Sequence, residues 1–102
     1  MNTFLLSKST NPKKKYTVET ESGKKISFGA AGYGDYIIYS KKNKTLAKNK
    51  KESYLARHGV NENFNDPNTA GFWSRWILWE KPTLKGSIKN VNKKFNMDVK
   101  YN

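Results

Sequence analysis

Residues 69–95 constrain the fold of this chain more than any other stretch. The first half of that stretch holds all three tryptophans, Trp73, Trp76 and Trp79, beside Phe72, Ile77 and Leu78. On a helix advancing about 100° per residue, Phe72, Trp76 and Trp79 share one face, Trp73 and Ile77 occupy the next, and Leu78 covers part of the remainder. Only Ser74 and Arg75 interrupt this apolar girdle. A helix apolar nearly all round belongs in an interior, so the block predicts a buried, Trp-rich central helix, with Asn68 or Thr69 as its cap.

Pro82 ends that helix, and a second pattern begins at Thr83. Leu84, Ile88, Val91 and Phe95 recur at four-three-four spacing, one face of an amphipathic helix. Lys81, Lys85, Lys89 and Lys93 step by four beside that stripe. The arrangement predicts a core-anchored helix that offers a row of ammonium groups outward; read blandly, the row only solvates an exposed face.

Composition says which partners such a row would meet. The chain has 102 residues, the size of one domain. A domain this small has a modest core, which the 14% aromatic content partly offsets, since each large ring buries about 150–250 Å². Twenty Lys and Arg against eight Asp and Glu give a net charge of +12. Such an excess speaks to partners, not fold: nucleic-acid phosphate first, an anionic membrane second, an acidic protein third. Arg57 and Arg75 are the only arginines. Arginine is the usual reader of guanine edges, so a lysine-dominated surface points to phosphate contact with weak sequence preference. Without cysteine, disulfides, thiolate metal sites and cysteine nucleophiles are excluded. Neither Met1–Ser7 nor any later run is long and apolar enough for an export signal core or a membrane span, so a soluble, non-exported protein is expected.

Taken in order, residues 1–15 read as a basic N-terminal arm: Phe4, Leu5 and Leu6 could dock on a neighbour, and Lys13, Lys14 and Lys15 could order on a polyanion. Residues 16–102 read as one compact α+β domain. Tyr16, Val18 and Thr20 alternate with polar residues, Glu21–Lys24 supplies a turn, and Ile26 and Phe28 resume the alternation, a β-hairpin. The glycine-rich loop from Gly29 to Asp35 lacks the ending of a P-loop, so its glycines are expected to serve the chain path rather than a phosphate. Tyr36–Tyr39 ends the loop as a strand or begins a helix. Lys41–Lys51 lies on a helix running to His58, with Leu46, Ala47, Tyr54, Leu55 and His58 at helical spacing and Gly59 as its C-terminal cap. Asn61–Asn68 is a polar loop, and Met97, Val99 and Tyr101 form a last strand closing against the hairpin. The expected fold is thus a small antiparallel hairpin or sheet against about three helices.

Three segments together, Phe28–Tyr36, Tyr54–His58 and Thr69–Leu84, resemble a family of small uncharacterised proteins of giant nucleocytoplasmic large DNA viruses. The resemblance implies a viral origin, with action in the host cytoplasm or the virion, and brings no activity or functional residues with it. One histidine, no cysteine and eight scattered acids leave little material for catalysis or a metal cage, so no enzyme and no cofactor are expected. Two functions remain. In the first, Lys13, Lys14, Lys15, Lys24, Lys25, Lys41, Lys42, Lys44, Lys48, Lys50, Lys51, Arg57, Lys81, Lys85, Lys89 and Lys93 contact nucleic-acid phosphates. In the second, the domain is a minor virion protein whose basic face meets acidic capsid proteins. Surface Tyr33, Tyr36 or Tyr39 beside lysines would favour stacking on single-stranded bases; an N-terminal arm lying on another protein would favour the virion.

Overall fold

The computed structural model describes residues 2–60 and 62–102. Met1 of the expected arm and Asn61 of the expected loop lie outside the described residues.

The fold is α+β. Strands β1 (Thr3–Lys8), β2 (Lys14–Glu19), β3 (Lys25–Ala30) and β4 (Asp98–Tyr101) form one sheet in the order β3-β2-β1-β4. The hairpin is present, with Tyr16 opposite Phe28 and Val18 opposite Ile26. Alternation then sorts the faces. Phe4, Leu6, Val18, Ile26, Phe28 and Val99 turn into the core. Thr17, on the other face, places its hydroxyl 3.0 Å from Ser9 Oγ and 2.9 Å from Ser27 Oγ.

Two expectations about the termini are corrected. Thr3–Lys8 is no arm: it is an interior strand, antiparallel to β2 and parallel to β4. Phe4 and Leu6 are the reason, because an isolated hairpin would leave the core with too little apolar sheet to cover it. Their short alternation, Phe4 and Leu6 in and Leu5 out, is a strand signal. The last strand also does not close against the hairpin. It pairs with β1, Phe4 opposite Val99 and Leu6 opposite Tyr101. Asn92 holds it there, its Oδ1 accepting from Val99 N at 2.7 Å and its Nδ2 donating to Val99 O at 3.3 Å.

The helices are α1 (Tyr36–Lys42), α2 (Lys44–His58), α3 (Ala70–Trp73), which runs on as a π-helical turn over Ser74–Leu78, and α4 (Leu84–Phe95). None among the described residues is long and apolar enough to cross a membrane. Tyr36 starts a helix because the Asp35 carboxylate caps it, accepting from Ile38 N at 2.9 Å. The basic segment Lys41–Lys51 is not one helix. Asn43 breaks it, leaving the helical conformation at φ −163° and accepting on its side chain from the amides of Thr45 and Leu46. Gly59 does cap α2, but in a right-handed conformation, φ −62°, that makes no use of glycine's freedom.

Thr69 is the cap of the tryptophan segment, which is the centre of the core. Phe72, Trp73 and Ile77 are fully buried, and Trp76 and Leu78 nearly so. The indoles satisfy their own donors: Trp73 Nε1 donates to the Pro67 carbonyl at 2.8 Å and Trp76 Nε1 to the Phe64 carbonyl at 2.7 Å. The polar loop before the segment is thereby pinned by the core beneath it. Helix α4 starts at Thr83, whose hydroxyl accepts from Gly86 N, and covers the other side with Phe95, edge-on to Phe72 at 4.9 Å and to Trp76 at 5.3 Å.

Candidate functional site

Helices α1 and α2 form a hairpin that stands off the rest of the molecule. Its inner stripe is Ala47, Lys51, Tyr54 and His58 at four-three-four spacing, and this stripe explains what Lys51 does. It turns inward, its Nζ 3.2 Å from Glu80 Oε1 and 3.1 Å from the Glu80 carbonyl. Arg75 reaches the same carboxylate at 2.9 Å. Burial alone would raise the Glu80 pKa; the Arg75 hydrogen bond and the Lys51 charge outweigh that and hold it below its ordinary value.

Between this hairpin and the core lies a groove of about 660 Å³. Lys14 and Lys15 of β2 and the loop from Gly29 to Asp35 form one wall, and Lys50, Tyr54, Arg57 and His58 of α2 face them. Ala70, Ser74 and Leu78 of the tryptophan segment contribute the side not taken by α4. Aromatic rings occupy much of it. Tyr54 stacks on Trp79, centroids 4.6 Å apart and planes 10° from parallel, and on His58 at 4.5 Å and 29°. Burial, then the nearby Glu62 charge, push the Tyr54 phenol above its ordinary value, with Arg75 opposing only in part, so the ring stays neutral. Tyr33 stands on the loop at 73% exposure, the most solvent-facing aromatic of the site.

The loop's path depends on glycine. Gly29 has φ +78°, and a Cβ there would lie 2.7 Å from Leu78 Cδ1 and 3.2 Å from Lys15 Cβ. Gly32 has φ +88° with open space around it. The loop thus serves the chain path, bringing Tyr33 to the groove.

Of the two groove acids, only Asp35 is matched by a permanent cation among the described residues. Asp35, buried, pairs with Lys15 at 2.6 Å; Glu62 lies 3.4 Å from His58 Nδ1. Lys14, Lys50 and Arg57 are exposed and, among the described residues, have no acid within 4.0 Å. The Lys50 ammonium sits 5.7 Å from the Tyr39 ring.

Of the cations expected to meet phosphate, all are exposed except Lys15 and Lys51, which are spent on internal carboxylates. That is a correction for those two: each lies on a buried face and neutralises an acid that would otherwise be stranded. The rest do not converge. Lys13 sits in the β1–β2 turn; Lys24 and Lys25 lie at the β2–β3 turn, Lys24 donating to the Asn68 carbonyl at 3.3 Å. Lys41 and Lys42 end α1, and Lys44 and Lys48 stand on the outer face of α2. Lys85, Lys89 and Lys93 form an exposed row on α4; Lys81 precedes the helix, because Thr83 begins it. Since α4 packs on the Phe72 and Trp76 side of the tryptophan segment, the row and the groove occupy different sides of the molecule. Tyr54, Trp79 and His58 were not expected as site residues. The inner stripe of α2 is the signal that points to Tyr54 and His58; nothing in the sequence aligns Trp79 with them.

The fold and the groove define a small, basic α+β protein with an aromatic cleft rimmed by unpaired cations. The chain belongs to DUF5754, a family of unknown function, which it matches over residues 5–58. That stretch runs from β1 to the end of α2 and includes most of the groove wall, though not the tryptophan segment. Comparison with curated proteins and with solved structures finds no match.

Proposed function

We propose that this protein is a non-enzymatic nucleic-acid binder that works through phosphate contacts with weak sequence preference. The observation that carries the reading is how the charges are spent. Three of the acids, Asp35, Glu80 and Asp98, pair with Lys or Arg, while nearly every expected cation faces solvent. The positive excess is therefore an outward field, which draws polyanions and releases their counterions. Lysine recognises phosphate as a point charge and carries no base identity. The viral origin implied by the resemblance would place such binding in the virus factory or the virion. The virion-structural alternative keeps its basic face but loses one of its two supports, a free arm for docking, because that segment is an interior strand.

The test is a salt series. Binding of duplex DNA, single-stranded DNA and RNA should weaken steeply with salt. Replacing Lys81, Lys85, Lys89 and Lys93 with Gln removes up to four phosphate contacts and should shrink the slope of log affinity against log salt by up to about 0.9 per contact on duplex. An unchanged slope in the folded variant moves the contact to the other lysines; no binding by the parent at low salt ends the proposal.

A further inference from the structure

We propose that the groove between α2 and the Gly29–Asp35 loop takes an unpaired base of a single-stranded nucleic acid, stacked on Tyr33, with the adjoining phosphates on Lys14, Lys50 and Arg57. The inference rests on the nucleic-acid reading above and names the strand it selects.

Exposure and charge carry it together. A tyrosine held at 73% exposure on a loop that follows Gly29 of β3 and contains Gly32, both at positive φ, costs the protein apolar burial. It stands beside a groove in which Lys15 pairs with Asp35, Glu62 lies 3.4 Å from His58 Nδ1, and Lys14, Lys50 and Arg57 have no acid within 4.0 Å among the described residues. At about 660 Å³ the groove falls in the size range of small-molecule sites, roughly 300–1,000 Å³, suited to a nucleotide. A flat aromatic face next to unpaired cations is the combination that binds single strands: the ring stacks on any base, the cations follow the backbone. Duplex cannot use it, because a paired base shows its faces only to its neighbours in the stack. An acidic peptide could satisfy the cations but has no need of Tyr33.

Fluorescence anisotropy with labelled oligo-dT, oligo-U and a duplex of equal phosphate number tests this. The parent should prefer the single strands. Tyr33→Ala, at an exposed position, should leave the fold intact, weaken single-strand binding about tenfold, and leave duplex affinity and the salt slope unchanged. Tyr33→Phe, which keeps the ring, should retain parental affinity. Changing Lys14, Lys50 and Arg57 to Gln should instead shrink the single-strand salt slope, by up to about 0.7 per contact. A Tyr33→Ala variant that weakens single strand and duplex alike, or neither, overturns the groove proposal while the nucleic-acid reading stands. Polyglutamate binding with the same loss in Tyr33→Ala would give the groove to an acidic protein. Failure of the parent to bind any oligonucleotide sinks both.

Discussion

The Tyr54 ring lies against the Trp79 ring, centroids 4.6 Å apart and planes 10° from parallel, and this stack fastens α2 to the end of the tryptophan segment. Around it the attachment is thin: Tyr39 of α1 lies 6.4 Å from the same indole, and Lys51 reaches across to Glu80. The wall of the groove is therefore held by a few side chains, and it is the part of the molecule most easily separated from the core.

Tyr54→Ala should cost about 3–5 kcal/mol, the range for large aromatic truncations. Its effect should be uneven. Hydrogen exchange should accelerate over residues 36–58 while β1, β2 and the tryptophan segment keep most of their protection. Uniform loss of protection would show the hairpin to be one cooperative unit with the core.

Trp73→Ala should be the most damaging change in the chain, and Trp76→Ala close behind, each about 3–5 kcal/mol. Trp73 is fully buried between Phe4 and Phe72, whereas Trp76 is 9% exposed and roofed by Arg75 and Lys94. Each variant also leaves a loop carbonyl, of Pro67 or Phe64, without its indole donor. Urea denaturation midpoints decide the order.

Glu80 should make stability pH-dependent. Its folded pKa lies below the ordinary 4.5, so the folded state favours the carboxylate. The stabilisation is present above that value and is lost as pH falls through the folded pKa. Glu80→Gln should therefore be less stable than the parent at neutral pH, and the gap should narrow on acidification below about pH 4.5, as read from thermal midpoints along a pH series.

Gly29→Ala and Gly32→Ala should differ. Both residues have positive φ, which costs an L-residue about 1–2 kcal/mol. At Gly32 that is the whole penalty, since the added methyl meets open space; at Gly29 it also collides with Leu78 and Lys15. Gly29→Ala should show the larger fall in melting temperature, and comparable falls would mean that the loop can shift off the core.

The legible parts of the fold are those built from local periodicity. The hairpin, the cap at Thr69, the helix from Thr83 and the burial of the tryptophans all follow from spacing two, three or four along the chain. What spacing cannot report is which elements meet. Thr3–Lys8 carries only a short alternation beside the basic run that follows it, and its pairing on both edges, with β2 and with β4, makes it an interior strand. Lys15 and Lys51 resemble their neighbours in a charged run, yet each faces an acid far away, Asp35 and Glu80. The groove depends on the same kind of meeting, since Tyr33, Tyr54 and Trp79 come from three separate segments.

The parallel pairing of Thr3–Lys8 with Asp98–Tyr101 sets an order on how this protein can come into being. One edge of β1 is closed by β4, which follows it at long range in the chain, and the core beneath the sheet is completed by residues 70–78. Until then Phe4, Leu6 and Val18 have no cover, and the open edge of β1 can recruit any strand within reach. Residues 5–58, the stretch that matches the family, hold neither β4 nor the tryptophan segment that covers this sheet. Vectorial growth from the ribosome thus gives this chain little head start: completion of the sheet is a late, long-range event, of the kind that slows folding as sequence separation grows.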